Sequence, residues 1–175
     1  MSDAKHFTLA AVNELDHESF VRCVGPVFEH SPWIAEATWI QRPFRDLAQL
    51  HQALCQTVIE AGDARQLALI RAHPDLVGRA ALAGTLTRES TGEQAGAGLN
   101  QLTPAEIALF QKNNADYQTK FGFPFVICAR LNKKEAILAG FEKRLQNPRP
   151  QEIKTALVEI FKIAELRLQD LVLSQ

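Results

Sequence analysis

The sequence is short of the groups that mark a metal site, a disulfide scaffold or a charged polymer as partner. Its three cysteines, Cys23, Cys55 and Cys128, are odd in number, far apart and form no CxxC. That spacing argues against zinc and against a disulfide framework, and it fits a reducing compartment. The histidines, His6, His17, His30, His51 and His73, include no i,i+4 pair and no HExxH. A histidine-based metal hydrolase is therefore not expected. Neither sign of charge dominates, since 19 Lys and Arg against 20 Asp and Glu give a net charge of -1. On that balance no nucleic acid and no anionic membrane is expected as a partner. No apolar run reaches membrane-spanning length. The polar start, Met1-Ser2-Asp3-Ala4-Lys5, is unlike a secretory signal, and Leu173-Ser174-Gln175 is not a peroxisomal address. The expectation is a cytoplasmic protein, of bacterial source. Internal repeats and low-complexity tracts are also missing.

What is present reads as helix after helix. The 175 residues, 46% hydrophobic and 22% charged, suit one globular domain over 1–175 with a normal core. Asp46 starts one helix with Gln49 three residues on, Leu47, Leu50, Leu54 and Val58 line its face, and Gly62 ends it. His51 falls on that stripe and reads as a packed histidine. Thr103-Pro104-Ala105-Glu106 is a stronger start, with Thr103 as cap, Pro104 in the first turn and Glu106 reaching back. Leu102 and Ile107 fall at the positions of a hydrophobic staple, and Phe110, Tyr117 and Phe121 continue the face. Residues 133–146 and 151–172 make two more helices around an Asn147-Pro148-Arg149-Pro150 turn. The one β-like run, from Phe123 to Ala129, contains Pro124, and is either a short extended segment or a buried helix start. The pattern predicts an all-α fold, a single-domain helical bundle of about seven to nine helices.

Three places could carry chemistry. His73-Pro74-Asp75-Leu76 follows a helix that starts at Asp63, and Pro74 disfavours helical geometry at His73. The histidine there either caps the last carbonyls or serves proton transfer, for which imidazole is best matched near neutral pH. Ser90-Thr91-Gly92-Glu93-Gln94 fits a capping box, Ser-x-x-Glu. The glycines around it, at 84, 92, 96 and 98, fit equally a helix start whose N–H groups receive carbonyl or anionic groups. Arg167 sits at the edge of an apolar stripe formed by Ile153, Leu157, Ile160, Phe161, Ala164, Leu168 and Leu171. Such an arginine either snorkels to water or pairs with an anion.

These residues, together with Phe121-Gly122-Phe123-Pro124-Phe125-Val126-Ile127, Glu159-Ile160 and Arg42-Pro43-Phe44, occur in an order that resembles the OHCU decarboxylase family. That family acts on 2-oxo-4-hydroxy-4-carboxy-5-ureidoimidazoline (OHCU) in urate breakdown, and the resemblance covers nearly the whole chain. It implies an all-helical homodimer that needs no metal and no organic cofactor, and that turns this small-molecule substrate into (S)-allantoin and carbon dioxide. By motif position it puts the catalytic histidine on His73, the acidic residue on Glu93 and the arginine on Arg167. Substrate contacts fall on Pro74, on Ser90, Thr91, Gly92, Glu93 and Gln94, and on the backbone of Phe125, Val126, Ile127, Cys128 and Ala129. The three motifs are expected to line one pocket, with Arg167 reaching in. A non-catalytic helical interaction module would explain the helices and caps but not the joint occurrence of His73, Glu93 and Arg167.

Overall fold

The computed structural model of the chain describes residues 6–173, without the side chains of Arg79 and Ala80. The polar start and the final Ser174-Gln175, on which part of the location argument rests, lie outside the described residues. In chain order come β1 (Phe7–Thr8), α1 (Leu9–Glu14), α2 (His17–Val24), α3 (Trp33–Thr38), α4 (Leu47–Glu60) and α5 (Asp63–Ala72). They are followed by α6 (Arg79–Ala83), α7 (Arg88–Gly96), α8 (Pro104–Phe121), α9 (Lys134–Arg144), α10 (Arg149–Leu171) and β2 (Val172–Leu173). The helical class matches the sequence pattern. The ten helices among the described residues exceed the expected seven to nine because α1, α3 and α6 are only five or six residues long. One turn and a half is too short for a hydrophobic period to show. β1 and β2 form a two-residue parallel pair, Phe7 beside Val172 and Thr8 beside Leu173.

The described residues divide into two compact units, one running up to Leu69 and resuming at Phe161, the other spanning Ile70–Ile160. In the first, Val12, Phe20, Val24, Ile34, Leu50, Leu54 and Val58 are fully buried. Asp46 caps α4 by accepting from the Gln49 N–H at 2.8 Å, and the Gln49 side chain accepts in return from the Arg45 N–H. Gly62 follows the helix with φ 81°, a left-handed conformation that glycine adopts without a Cβ penalty. His51 is packed as the stripe implied, with Nε2 2.8 Å from the Phe161 carbonyl and 3.3 Å from Cys55 Sγ. Nε2 donates to that carbonyl and so cannot take the thiol proton, while burial, aided by Glu165, pushes Cys55 up to about 12. The pair is therefore inert. Arg42 ties this unit together, donating from Nη1 to the carbonyls of Asn13 and Leu15 and from Nε to that of Trp39. Its guanidinium also lies 4.3 Å from the Trp39 ring centroid.

The second unit is built on aromatics. Phe110, Tyr117, Phe121, Phe123, Phe125 and Phe141 are almost completely buried, and the Phe125 and Phe141 rings stack at 3.9 Å. α8 opens on the predicted capping box: Thr103 Oγ1 accepts from the Glu106 N–H at 3.3 Å, and Glu106 Oε2 accepts from the Thr103 N–H at 2.8 Å. It ends at Gly122 in a left-handed conformation, φ 76°. The run after it is the extended alternative, not a helix start, and reaches a 3-10 turn at Ala129–Leu131. α10 begins at Arg149, two residues earlier than expected, because Pro150 fits a first turn whose donors have no intrahelical partner.

Lys134 donates to Glu106 Oε1 at 2.5 Å, and with the Thr103 cap this holds the Glu106 carboxyl down to about 2, from an ordinary 4.5. A depressed carboxylate stabilises the fold above its unfolded pKa, and the contribution disappears as pH falls through its folded pKa. Thermal melts should therefore show a loss of stability between about pH 4.5 and pH 2 that Glu106→Gln flattens. Identical acid profiles for the two proteins would assign the acid sensitivity elsewhere.

Candidate active site

His73 lies where α5 stops. Its N–H still closes a turn onto the Ile70 carbonyl at 3.2 Å, and Pro74 then diverts the chain. The side chain is not displayed on the surface, since His73 is 8% exposed. The turn that follows is strained. Val77 has φ 54°, a region that costs a β-branched residue about 1–3 kcal/mol. Gly78 is required next to it, because a Cβ there would sit 2.7 Å from Asp75 Cβ. Two buried side chains hold the turn: Gln94 Oε1 accepts from the Val77 N–H at 3.1 Å, and Asn114 Nδ2 donates to the Leu76 carbonyl at 2.7 Å.

Gln94 comes from α7, and here the structure corrects the expected helix start. The cap of α7 is Thr87, whose Oγ1 accepts from the Ser90 N–H at 3.3 Å. Ser90 and Glu93 are thus inside the helix and form no capping box, and the N–H groups of 90–94 are not an open helix terminus. Thr87 offered the cap three residues earlier, with Glu89 in the first turn. Helical spacing puts Ser90 and Gln94 on the buried side and leaves Glu93 half-buried. Thr91 and Gly92 face outward, and the Thr91 hydroxyl donates to the Thr87 carbonyl at 2.8 Å.

α7 also packs on the 3-10 turn at Ala129–Leu131, and Lys133 Nζ donates to the Gly96 carbonyl at 3.2 Å. The extended segment before that turn is held by side chains. Arg144 Nη1 donates to the Val126 carbonyl at 2.7 Å, and Glu159 Oε2 accepts from the Cys128 N–H at 2.9 Å. Burial pushes the Cys128 thiol up, and the Glu159 and Glu93 carboxylates add to the shift, so both negative charges act at this end of the segment. His73 with Pro74, the buried side of 90–94 and the 125–129 segment therefore belong to one compact unit, in which Gln94 ties α7 to Val77 in the turn after Pro74 and α7 packs on the turn at Ala129–Leu131.

Arg167 belongs to the other unit. It is 6% exposed and pairs with an anion: Nη1 lies 2.9 Å from Glu29 Oε2 and donates to the Pro26 carbonyl at 3.3 Å. Glu29, itself 3% exposed, was not singled out in the sequence. It lies 138 residues away, between a 3-10 turn and His30, which takes a left-handed φ of 45°. No periodicity connects such a pair. Among the described residues, no group of three or more His, Cys, Asp and Glu side chains is arranged to hold a metal ion, and no helix is long and apolar enough to cross a membrane.

Residues 13–169 match the family model described as OHCU decarboxylase. The chain belongs to the OHCU decarboxylase family. It is 43% identical over 164 residues to a 2-oxo-4-hydroxy-4-carboxy-5-ureidoimidazoline decarboxylase of the archaeon Halalkalicoccus jeotgali, covering 94% of this chain and 91% of the relative. It is 44% identical over 161 residues to the protein of that name from the fish Amia calva, covering 92% of each. These relatives give no support to the expected bacterial source. Among solved structures, a crystal structure of (S)-allantoin synthase superposes with a TM-score of 0.77 at 27% identity, over 95% of this chain. The match spans about half of that longer chain, 54%.

In this OHCU decarboxylase family member a second group of buried charges escaped the sequence reading. Glu152 accepts from the Tyr117 hydroxyl and, at 2.9 Å, from Arg144 Nε, while Asn147 Nδ2 donates to its other oxygen at 2.7 Å. The Arg144 guanidinium also lies 4.3 Å from the Phe125 ring centroid. Removing one partner of such a pair leaves the other buried and uncompensated. Glu152→Ala is expected to lower unfolding free energy in urea by about 3–5 kcal/mol, with Glu152→Gln losing less. A loss under about 1 kcal/mol, the range of an exposed pair, would contradict the buried network.

Proposed function

We propose that this protein decarboxylates 2-oxo-4-hydroxy-4-carboxy-5-ureidoimidazoline to (S)-allantoin and carbon dioxide in urate breakdown, with no metal and no organic cofactor. The observation that carries the reading is local. A histidine at a helix break, where proton transfer can be placed, adjoins a strained turn held by Gln94 from the helix that also bears Glu93. Membership of the family supports the substrate.

The substrate itself explains why no electron sink is needed from the protein. Breaking the bond from C4 to the carboxylate leaves an electron pair that the adjacent ring C=N accepts, its nitrogen taking a proton. Loss of the 4-hydroxyl proton and protonation of C5 then give the ketone. Addition of that proton from one face sets the S configuration. In this scheme His73 acts as the acid/base at the 4-hydroxyl. Arg167 grips anionic oxygen of the substrate through a planar, charge-assisted contact. Glu93 orients His73 or the ureido N–H groups. Pro74, Ser90 and Gln94 and the backbone of 125–129 hold the amide edges, with the Gln94 amide nitrogen as donor, while the outward-facing Thr91 and Gly92 complete the helical turn that carries them. The family reading further proposes a cytoplasmic homodimer, and analytical ultracentrifugation tests the oligomeric state.

Turnover of freshly made substrate by purified protein, with and without a chelator, tests the function directly. Absence of turnover, or its abolition by the chelator, would overturn the reading. His73→Ala should lower kcat by about 10²-fold or more. His73 is buried, so a melting-temperature loss accompanies it, within the range of an ordinary core truncation.

Arg167→Lys should be severely impaired, because an ammonium can keep the charge beside Glu29 but not a two-point planar contact. Unchanged kcat/KM in that variant would leave Arg167 as a structural ion-pair partner. Glu93→Gln is sharper, since Glu93 forms no cap that the substitution could break. Its activity should fall by about 10²-fold while the melting temperature barely moves. A fully active Glu93→Gln would remove Glu93 from the chemistry.

A further inference from the structure

The extended segment gives a role to Glu159, a residue of the family pattern to which the mechanism assigns no task. Phe125 and Ile127 both reach toward Gly140 of α9, where a Cβ would stand 3.3 Å from Phe125 Cζ and 3.7 Å from Ile127 Cδ1. Side chains two residues apart on one side are the mark of an extended chain, and Cys128 has extended dihedrals as well, φ -70° and ψ 94°. Along such a chain residues i and i+2 also turn their peptide groups to the same side. Val126 and Cys128 are such a pair, and buried side chains take one group of each: Arg144 the Val126 carbonyl and Glu159 the Cys128 N–H. Ile127 lies between them, and the alternation of an extended chain turns its N–H and C=O the opposite way. It is the one residue from Phe123 to Ala129 that is not buried.

We propose that Glu159 is a positioning residue of the substrate site: by holding the Cys128 peptide it presents the Ile127 N–H and C=O, side by side, to a planar amide edge of a cyclic urea. One donor beside one acceptor is the complement of a lactam or urea N–H next to its C=O. Glu159 touches no substrate in this role. The inference rests on the proposed function, in which the 125–129 backbone contacts substrate.

The test compares Glu159→Gln, which keeps an oxygen acceptor for the Cys128 N–H, with Glu159→Met, of similar length and without one. Met should raise KM by about tenfold or more, with kcat changed far less, because binding geometry and not proton transfer is lost. Gln should restore KM to within about threefold of wild type, since the N–H keeps an acceptor. Should the Met variant not fold, Glu159→Asp, which retracts the acceptor by one methylene, should show the same split. Titration of each variant with (S)-allantoin in a calorimeter should weaken in the same order. An unchanged KM in folded Met or Asp variants would overturn the proposal, as would a Gln variant as impaired as Met, since the charge would then act in the chemistry. Wild-type protein inert toward fresh substrate would instead remove the proposed function, and the allantoin titrations would still decide the positioning role.

Discussion

A stretch of buried chain that is neither helix nor sheet must find partners for its peptide groups among side chains, and that constraint shapes the unit spanning Ile70–Ile160. The segment from Phe123 to Cys128 has no neighbouring strand among the described residues, yet all but one of its residues are buried. An unpaired buried peptide group costs about as much as a lost hydrogen bond or more. Arg144 and Glu159 supply partners from α9 and α10, and Glu152, Tyr117 and Asn147 in turn satisfy Arg144 or its counter-ion. The two buried ionic groups are therefore not interchangeable with apolar residues of equal volume. Replacing them would leave the segment without its hydrogen bonds, whatever happened to the core.

The turn after His73 obeys the same logic at smaller scale. Pro74 ends α5, and the chain then reverses through a left-handed valine and an obligatory glycine. A β-branched residue at positive φ persists only where its surroundings over-determine it. Gln94 and Asn114, both buried, do so by binding the Val77 N–H and the Leu76 carbonyl. Gln94 is thus double-ended: its oxygen stabilises the strained turn while its nitrogen remains available as a donor. This arrangement couples α7 to the histidine loop, and it gives Gln94 a reason to be an amide. A carboxylate in its place would lose the donor, and an apolar side chain would abandon the turn.

Local grammar carried the legible part of the fold. Asp46 with Gln49, Gly62, the Thr103–Glu106 box, Pro104 and the break at Pro74 are all decided within four residues, by hydrogen bonds and steric rules that hardly depend on the rest of the chain. The all-helical class follows from such signals repeated along 175 residues. Where the local signal was ambiguous it misled. Ser90 with Glu93 has the spelling of a capping box, but Thr87 competes for the same helix start and gains an extra turn of α-helix.

Tertiary structure decided whatever depends on partners distant in sequence. Glu29 with Arg167, Cys128 with Glu159, and Tyr117 with Glu152 are separated by 138, 31 and 35 residues. An isolated glutamate reads in sequence as a solvated charge, because that is what most of them are, and the stripe beside Arg167 left water and an anion both open. Only packing removes the water and forces each to find its counter-charge or a peptide group. The sequence by itself determined the helical class, the capped start of α8, the stops of α4 and α5, and which family pattern the chain spells. The folded chain alone decided which charges are buried, which face of α7 turns inward, and that the Phe123–Cys128 run is an extended edge held from one side.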